Sequence, residues 1–189
     1  MNPAASLVVL LDAALMGALP RVFFRRDGRF NARWWLTAMP FLVSSGTVLL
    51  AAFGLVAPFR PASGRALSLD LAAVALAAAS IGLMCFTLGT HRIPIALWHQ
   101  SPEGDAPREI VSWGAYARLR HPFYASFLLL LAACALVCPH AATLVALLWG
   151  AIALNRTAAR EEARLIRSEL GAEYQAYMKR TGRFFPRLT

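Results

Sequence analysis

Two polar clusters in an otherwise apolar chain hold the residue types that chemistry requires: REIVSWGAYARLRHPFY at 108–124 and NRTAAREEARLI at 155–166. In the first, Pro122 stands where a first helical position is expected, because its missing amide costs nothing there and its fixed φ suits a helix start. The free amides of that turn and the positive end of the helix dipole make a candidate anion site. His121 and Tyr124 flank it with an imidazole and a phenol, and Arg118 and Arg120 add positive charge. In the second cluster Glu161 and Glu162 lie among Arg156, Arg160 and Arg164. On a solvated helix these would form ordinary side-chain pairs such as Glu161 with Arg164. Facing the His121 cluster, the acidic pair would instead take the cationic or hydroxyl-bearing part of a ligand whose carboxylate lies at the arginines. The expected ligand is a zwitterion.

Whether the clusters meet depends on the apolar stretch between them, 122–154, whose one acidic or basic residue is His140. As a single helix it would reach about 50 Å at 1.5 Å per residue, too long for one bilayer crossing. Pro139 beside His140 offers a break, so the stretch reads as two short helices, about 122–138 and 141–154, in a tight hairpin. A hairpin returns its second end to the level of its first. The clusters should therefore share one surface.

The rest of the chain reads as further spans. It has 189 residues, 58% hydrophobic and 15% charged, a net charge of +9 and a mean hydropathy of +0.53. A soluble domain is nearer one quarter charged, and this composition excludes a Rossmann or barrel enzyme and a secreted disulfide scaffold. Run 4–24, interrupted by Asp12, reads as a retained span rather than a signal peptide. Run 34–57 has no charge, opens on Trp34 and Trp35 and is followed by Pro58 and Pro61. Run 67–90 carries Asp70 in its first turn, where a carboxylate suits the helix N-terminus. With the hairpin this makes about five transmembrane helices. The fifth should continue out of the bilayer, since charges begin at Arg156 but no glycine or proline intervenes before Gly171; a shorter segment with Tyr174 and Tyr177 follows. The expected fold is an all-α polytopic membrane helix bundle with a tight C-terminal hairpin and a cytoplasmic C-terminal helix. It forms one domain, with N-terminal helices in 1–107 and the polar signature in 108–189.

Charge placement fits that count. Of 19 basic residues 18 are arginine, and they sit in the connections. Arg21, Arg25, Arg26, Arg29 and Arg33 follow the first span; Arg92, Arg108, Arg118 and Arg120 follow the third; seven arginines and Lys179 follow the fifth. Only Arg60 and Arg65 fall on the other side, a split of 17 to 2. Basic residues concentrate on the cytoplasmic side, so the N-terminus is expected outside and the C-terminus in the cytoplasm. This pattern is membrane topology, not a nucleic-acid face.

The polar elements, in their order, resemble the signature of the small integral-membrane methyltransferases that include isoprenylcysteine carboxyl methyltransferase and the phospholipid N-methyltransferases. The elements are Gly114 to Tyr116, Arg120-His121-Pro122 with Tyr124, Glu161-Glu162, Gly171 with Tyr174 and Tyr177, and Arg183 with Pro186. The resemblance covers under half of the chain. It implies S-adenosylmethionine as methyl donor, with Ile110, Val111, Tyr116, His121, Pro122, Phe123, Tyr124 and one or both of Glu161 and Glu162 as cofactor contacts. It also implies Arg156 or Arg160 near an acceptor carboxylate. The acceptor expected from it is a hydrophobic small molecule or lipid bearing a carboxylate, thiol, amine or phenol. Two departures are Ala125-Ser126 after Tyr124, where the family commonly has a glycine, and Arg108 where carboxyl methyltransferases often have histidine. The second argues against a prenylcysteine acceptor. The arginine- and alanine-rich, lysine-poor composition points to a bacterial inner membrane.

Two other readings are an NADPH-dependent membrane reductase of the sterol type, which shares the Arg-His-Pro-x-Tyr turn but carries a different tail, and a non-catalytic membrane protein. Asp12 in mid-span should face the bundle, either lining an acceptor tunnel or holding a structural hydrogen bond. His91 and His99 lack a third ligand at metal spacing, His140 is expected at the hairpin turn, and Cys85, Cys134 and Cys138 read as packing residues.

Overall fold

The computed structural model describes residues 2–18, 32–59, 63–90 and 110–187. Within them lie helices α1 (Pro3–Gly17), α2 (Ala32–Ala52), α3 (Ser63–Thr90), a 3-10 turn (Gly114–Ala117), α4 (Pro122–Val137), α5 (Ala141–Ile166) and α6 (Gly171–Arg180). Among the described residues the fold is all-helical, and α2, α3 and α5 are long and apolar enough to cross a membrane. Arg21, Arg25, Arg26, Arg29, Arg60, Arg92, Arg108, His91, His99 and the far end of run 4–24 lie outside the described residues.

Local chemistry sets the helix ends. Asn2 caps α1, its Oδ1 accepting from Ala4 N at 3.0 Å, with Pro3 at the first position. Helix α2 stops at Ala52, earlier than the apolar run to 57 predicts. Gly54 turns left-handed there (φ 74°), with Gly54 N donating to Ala51 O and Leu55 N to Leu50 O, a Schellman stop that hydropathy does not reveal. Helix α3 begins at Ser63, about a turn earlier than expected, so Asp70 is beyond the first turn and buried.

The hairpin forms as expected, with Cys138 to His140 joining α4 to α5. His140 caps α5, its Nδ1 accepting from Ala142 N at 3.1 Å while Thr143 Oγ1 accepts from His140 N. Gly150 of α5 gives way to Leu131 of α4, whose side chain a Cβ would strike. Helix α5 ends at Ile166, short of Leu170, because Ser168 closes a turn on Leu165 and Gly171 opens α6 instead of ending α5. A Cβ at Gly171 would collide with the Ile166 carbonyl.

The inner face of α3 is small or polar, and large apolar side chains of α1, α2 and α4 such as Val9, Phe41, Leu130 and Val137 fill the core around it. The buried face of α3 reads Asp70, Ala73, Ala77, Ser80, Met84, Thr87 and Thr90, spaced three or four residues apart, whereas Leu67, Leu71 and Phe86 face outward. Small residues allow close helix approach when lipid, not water, surrounds the bundle. Helix α3 packs against α1 and α4, and α2 against α5. At the α1–α3–α4 junction the Ser80 hydroxyl lies 3.2 Å from Asp12 Oδ1 and 2.9 Å from Ser126 O.

Candidate functional site

At the end of α4 away from the hairpin turn, four segments meet: the 3-10 turn with 118–121, the α4 N-terminus, the charged half of α5, and the strap 181–184 after α6. Thr90, the last residue of α3, accepts from Ala115 N at 3.1 Å and anchors the 3-10 turn. Gly114 is required there: its φ is 58°, and a Cβ would run into the Thr90 side chain. Tyr177 of α6 then holds the turn, donating to Tyr116 O at 2.7 Å and lying 3.2 Å from Leu119 O. The strap runs parallel to 118–120 as a short bridge. Arg120 N donates to Gly182 O at 2.8 Å, Gly182 N to Arg118 O at 3.1 Å, and His121 N to Arg183 O at 3.1 Å.

Glu162 is the centre. It is 2% exposed on the buried stripe Leu154, Ala158, Glu162 of α5. Its Oε1 accepts from Arg120 Nε at 2.9 Å and Arg183 Nε at 3.1 Å, and its Oε2 from Arg183 Nη2. His121 Nε2 lies 3.3 Å from the same Oε1. This part of α5, beyond the apolar 141–154, is the charged continuation expected outside the bilayer. Burial works against the charge on Glu162, but the nearby His121 imidazole and the bonds from Arg183 and Arg120 outweigh it and hold the carboxyl well below the ordinary range. The Glu162 contact in turn raises the Arg183 guanidinium.

Glu161 is placed differently. Its side chain is 33% exposed, its Oε1 accepts from the Tyr124 hydroxyl at 2.7 Å, and its Oε2 lies 3.5 Å from His121 Nδ1. The His121 and Tyr124 rings are parallel at 5.4 Å, and Phe184 meets His121 edge-on at 6.2 Å. Burial, with Tyr177 and Glu161 nearby, pushes the Tyr116 phenol well above its ordinary value; burial also raises Tyr174 and takes Tyr177 to about 12. The shifts favour the neutral form of all three, and Tyr177 is the one shown donating. His121 Nε2 is fully buried and, despite its nearness to Glu162, has no hydrogen-bond partner of good geometry among the described residues.

The expected site residues thus divide. His121, Pro122, Tyr124, Glu161 and Glu162 come together, and Tyr116 stands beside them through Tyr177. Phe123, Ile110 and Val111 are half-buried, the last two on the stretch leading into the 3-10 turn. Arg156 and Arg160 are exposed on a different face of α5 from Glu162. Arg120, expected to attract a ligand anion, is engaged by Glu162 and by the Met178 and Thr181 carbonyls. The clamp role of Arg183, which also donates to Asn155 Oδ1 at 2.6 Å, was not legible, although its place in the tail motif was the available signal. Among the described residues no group of His, Cys, Asp and Glu could hold a metal ion. The chain matches no family model, no curated protein and no solved structure.

Proposed function

We propose that the protein is an S-adenosylmethionine-dependent methyltransferase acting on a hydrophobic or lipid-like acceptor at the cytoplasmic face of a membrane. The observation that carries this reading is the convergence of His121 and Tyr124 with Glu161 and Glu162, some 40 residues later, around a buried imidazole nitrogen without a hydrogen-bond partner. The imidazole is set between the two carboxylates, Nδ1 3.5 Å from Glu161 and Nε2 3.3 Å from Glu162, and its Glu161 side is the one that remains partly open.

The residues fit the donor by charge. Glu161 offers carboxylate oxygens to its ammonium or hydroxyl groups, and the α4 N-terminus with His121 offers donors to its carboxylate. When bound, S-adenosylmethionine supplies an electrophilic methyl group. The chain's part is to bind and orient: fixing the acceptor in line with that methyl group lowers the barrier more than a strong base would. A carboxylate or thiolate acceptor already carries the attacking electron pair. The Tyr177 phenol holds the turn through the Tyr116 carbonyl, with the Tyr174 ring packed against it.

In this reading the bundle crosses the membrane five times. Helices α1 and α4 extend only about 22–24 Å at 1.5 Å per residue, but the small and polar inner face of α3 and the outward-facing leucines suit lipid solvation. The 17 to 2 charge split supports a cytoplasmic position for the α4 N-terminus, the strap and α6. The acceptor's tail would lie between helices while its head reaches the site.

The test is calorimetric titration of the detergent-purified protein with S-adenosylmethionine, S-adenosylhomocysteine and NADPH, beside the His121→Ala/Glu161→Ala variant. The reading expects saturable binding of both adenosyl compounds, lost in the variant. Binding of NADPH alone would transfer the protein to the membrane reductases. Binding of none, by a folded chain, would leave a non-catalytic membrane protein.

A further inference from the structure

We infer that the adjacent glutamates do different work: Glu162 is an internal clamp that fastens the strap 181–184 over the site, whereas Glu161, steadied by Tyr124, is the carboxylate presented to a ligand's N–H or O–H donors. The ligand half rests on the methyltransferase reading; the clamp half does not.

The division follows from how each carboxylate is engaged and how far it is open. An ionised carboxylate has about two lone-pair positions on each oxygen. On Glu162, Oε1 accepts from Arg120 Nε and Arg183 Nε and has His121 Nε2 at 3.3 Å, Oε2 accepts from Arg183 Nη2, and the side chain is only 3% exposed. Two guanidinium groups balance its single charge. A ligand donor could reach it only by displacing an arginine from a nearly dry contact, which would leave a buried charge unpaired.

Glu161 has the opposite character. One hydrogen bond, from Tyr124, reaches it among the described residues, at Oε1. The other oxygen lies 3.5 Å from His121 Nδ1, and a third of the side chain is open. Tyr124 is itself packed parallel to His121, so the carboxylate is oriented from a rigid neighbour and keeps acceptor positions for a ligand. The same contacts make the strap part of the site wall, since Arg183 is bound to Glu162 and the next residue, Phe184, is set edge-on to His121. The chemistry that Glu161 would recognise is an ammonium or a pair of hydroxyls.

The experiment uses the full chain in detergent, with S-adenosylhomocysteine and adenosine as calorimetric probes and trypsin cleavage at Arg180, Arg183 and Arg187 as the measure of strap docking. Glu161→Gln should weaken S-adenosylhomocysteine about tenfold, as loss of one charge-assisted hydrogen bond does, with Tm and cleavage rate unchanged. An equal loss for adenosine would assign Glu161 to the hydroxyls, and a loss confined to S-adenosylhomocysteine would assign it to the ammonium; either supports the inference. Glu162→Gln and, independently, Arg183→Met should each speed cleavage at least several-fold. Unchanged affinity of Glu161→Gln, in a wild-type chain that binds, would overturn the ligand half. A strap that stays resistant in both clamp variants would overturn the other. A wild-type chain that binds neither adenosyl compound would sink the methyltransferase reading and the ligand half with it, while the cleavage assay still decides the clamp.

Discussion

The hydroxyl of Tyr177 donates to the main-chain carbonyl of Tyr116, 61 residues earlier, at 2.7 Å. The two tyrosines lie in distant segments, and the phenol of one positions the backbone of the other. Tyr177→Phe would leave the Tyr116 carbonyl without this donor in a buried place, and should cost about 1–3 kcal/mol. Thermal unfolding in detergent checks this, and ligand affinity should fall in parallel because the 3-10 turn loosens.

Gly182→Ala should release the strap without touching any charged residue. A Cβ there would overlap the Phe185 carbonyl oxygen, which is backbone and cannot swing away. The bridge to 118–120 would open, and cleavage at Arg183 should rise to the level of Glu162→Gln.

Strap docking should also depend on pH in one direction only. Glu162 has its folded pKa depressed, so its stabilisation is complete above the ordinary carboxylate value of 4.5 and is lost as pH falls through the lower folded value. Cleavage resistance should be flat between about pH 8 and pH 5 and decline below about pH 4. An acid-stable protease such as pepsin reads the lower range.

The inner polar junction predicts non-additivity. Ser80 is the hydrogen-bond partner of Asp12 Oδ1 and also meets Ser126 O, and Asp12 Oδ2 has no partner among the described residues. Ser80→Ala should destabilise by about 1–3 kcal/mol by stripping Asp12 of its donor. In an Asp12→Leu background the same change should cost less, because no buried carboxyl remains; a double-mutant cycle on unfolding midpoints measures the coupling.

Much of this was visible in the sequence for physical reasons. Pro122 at a helix start, Pro139 and His140 at a break and the charge-free run around Leu42 to Ala51 are local signals, and α4, the hairpin and α2 follow from them. Gly54 and Gly171 defeated the boundary expectations, because their effect depends on φ and on which carbonyl passes by. Glu161 and Glu162 were legible as a pair but not as two roles. Only the 100° rotation between neighbouring helix positions, set against Arg120 and Arg183 from distant segments, separates them. Arg156 and Arg160 lie on the exposed face of that helix for the same geometric reason.

The bridge between Gly182 and Leu119 has a consequence in time. Residues 181–184 are synthesised after every helix they close, so until they dock Glu162 faces Arg120 alone. A chain interrupted before Thr181 would carry helices α1 to α5 and lack the second guanidinium, the Phe184 edge and the three main-chain bonds made by 182 and 183. Closure of the site would then arrive in one late docking event.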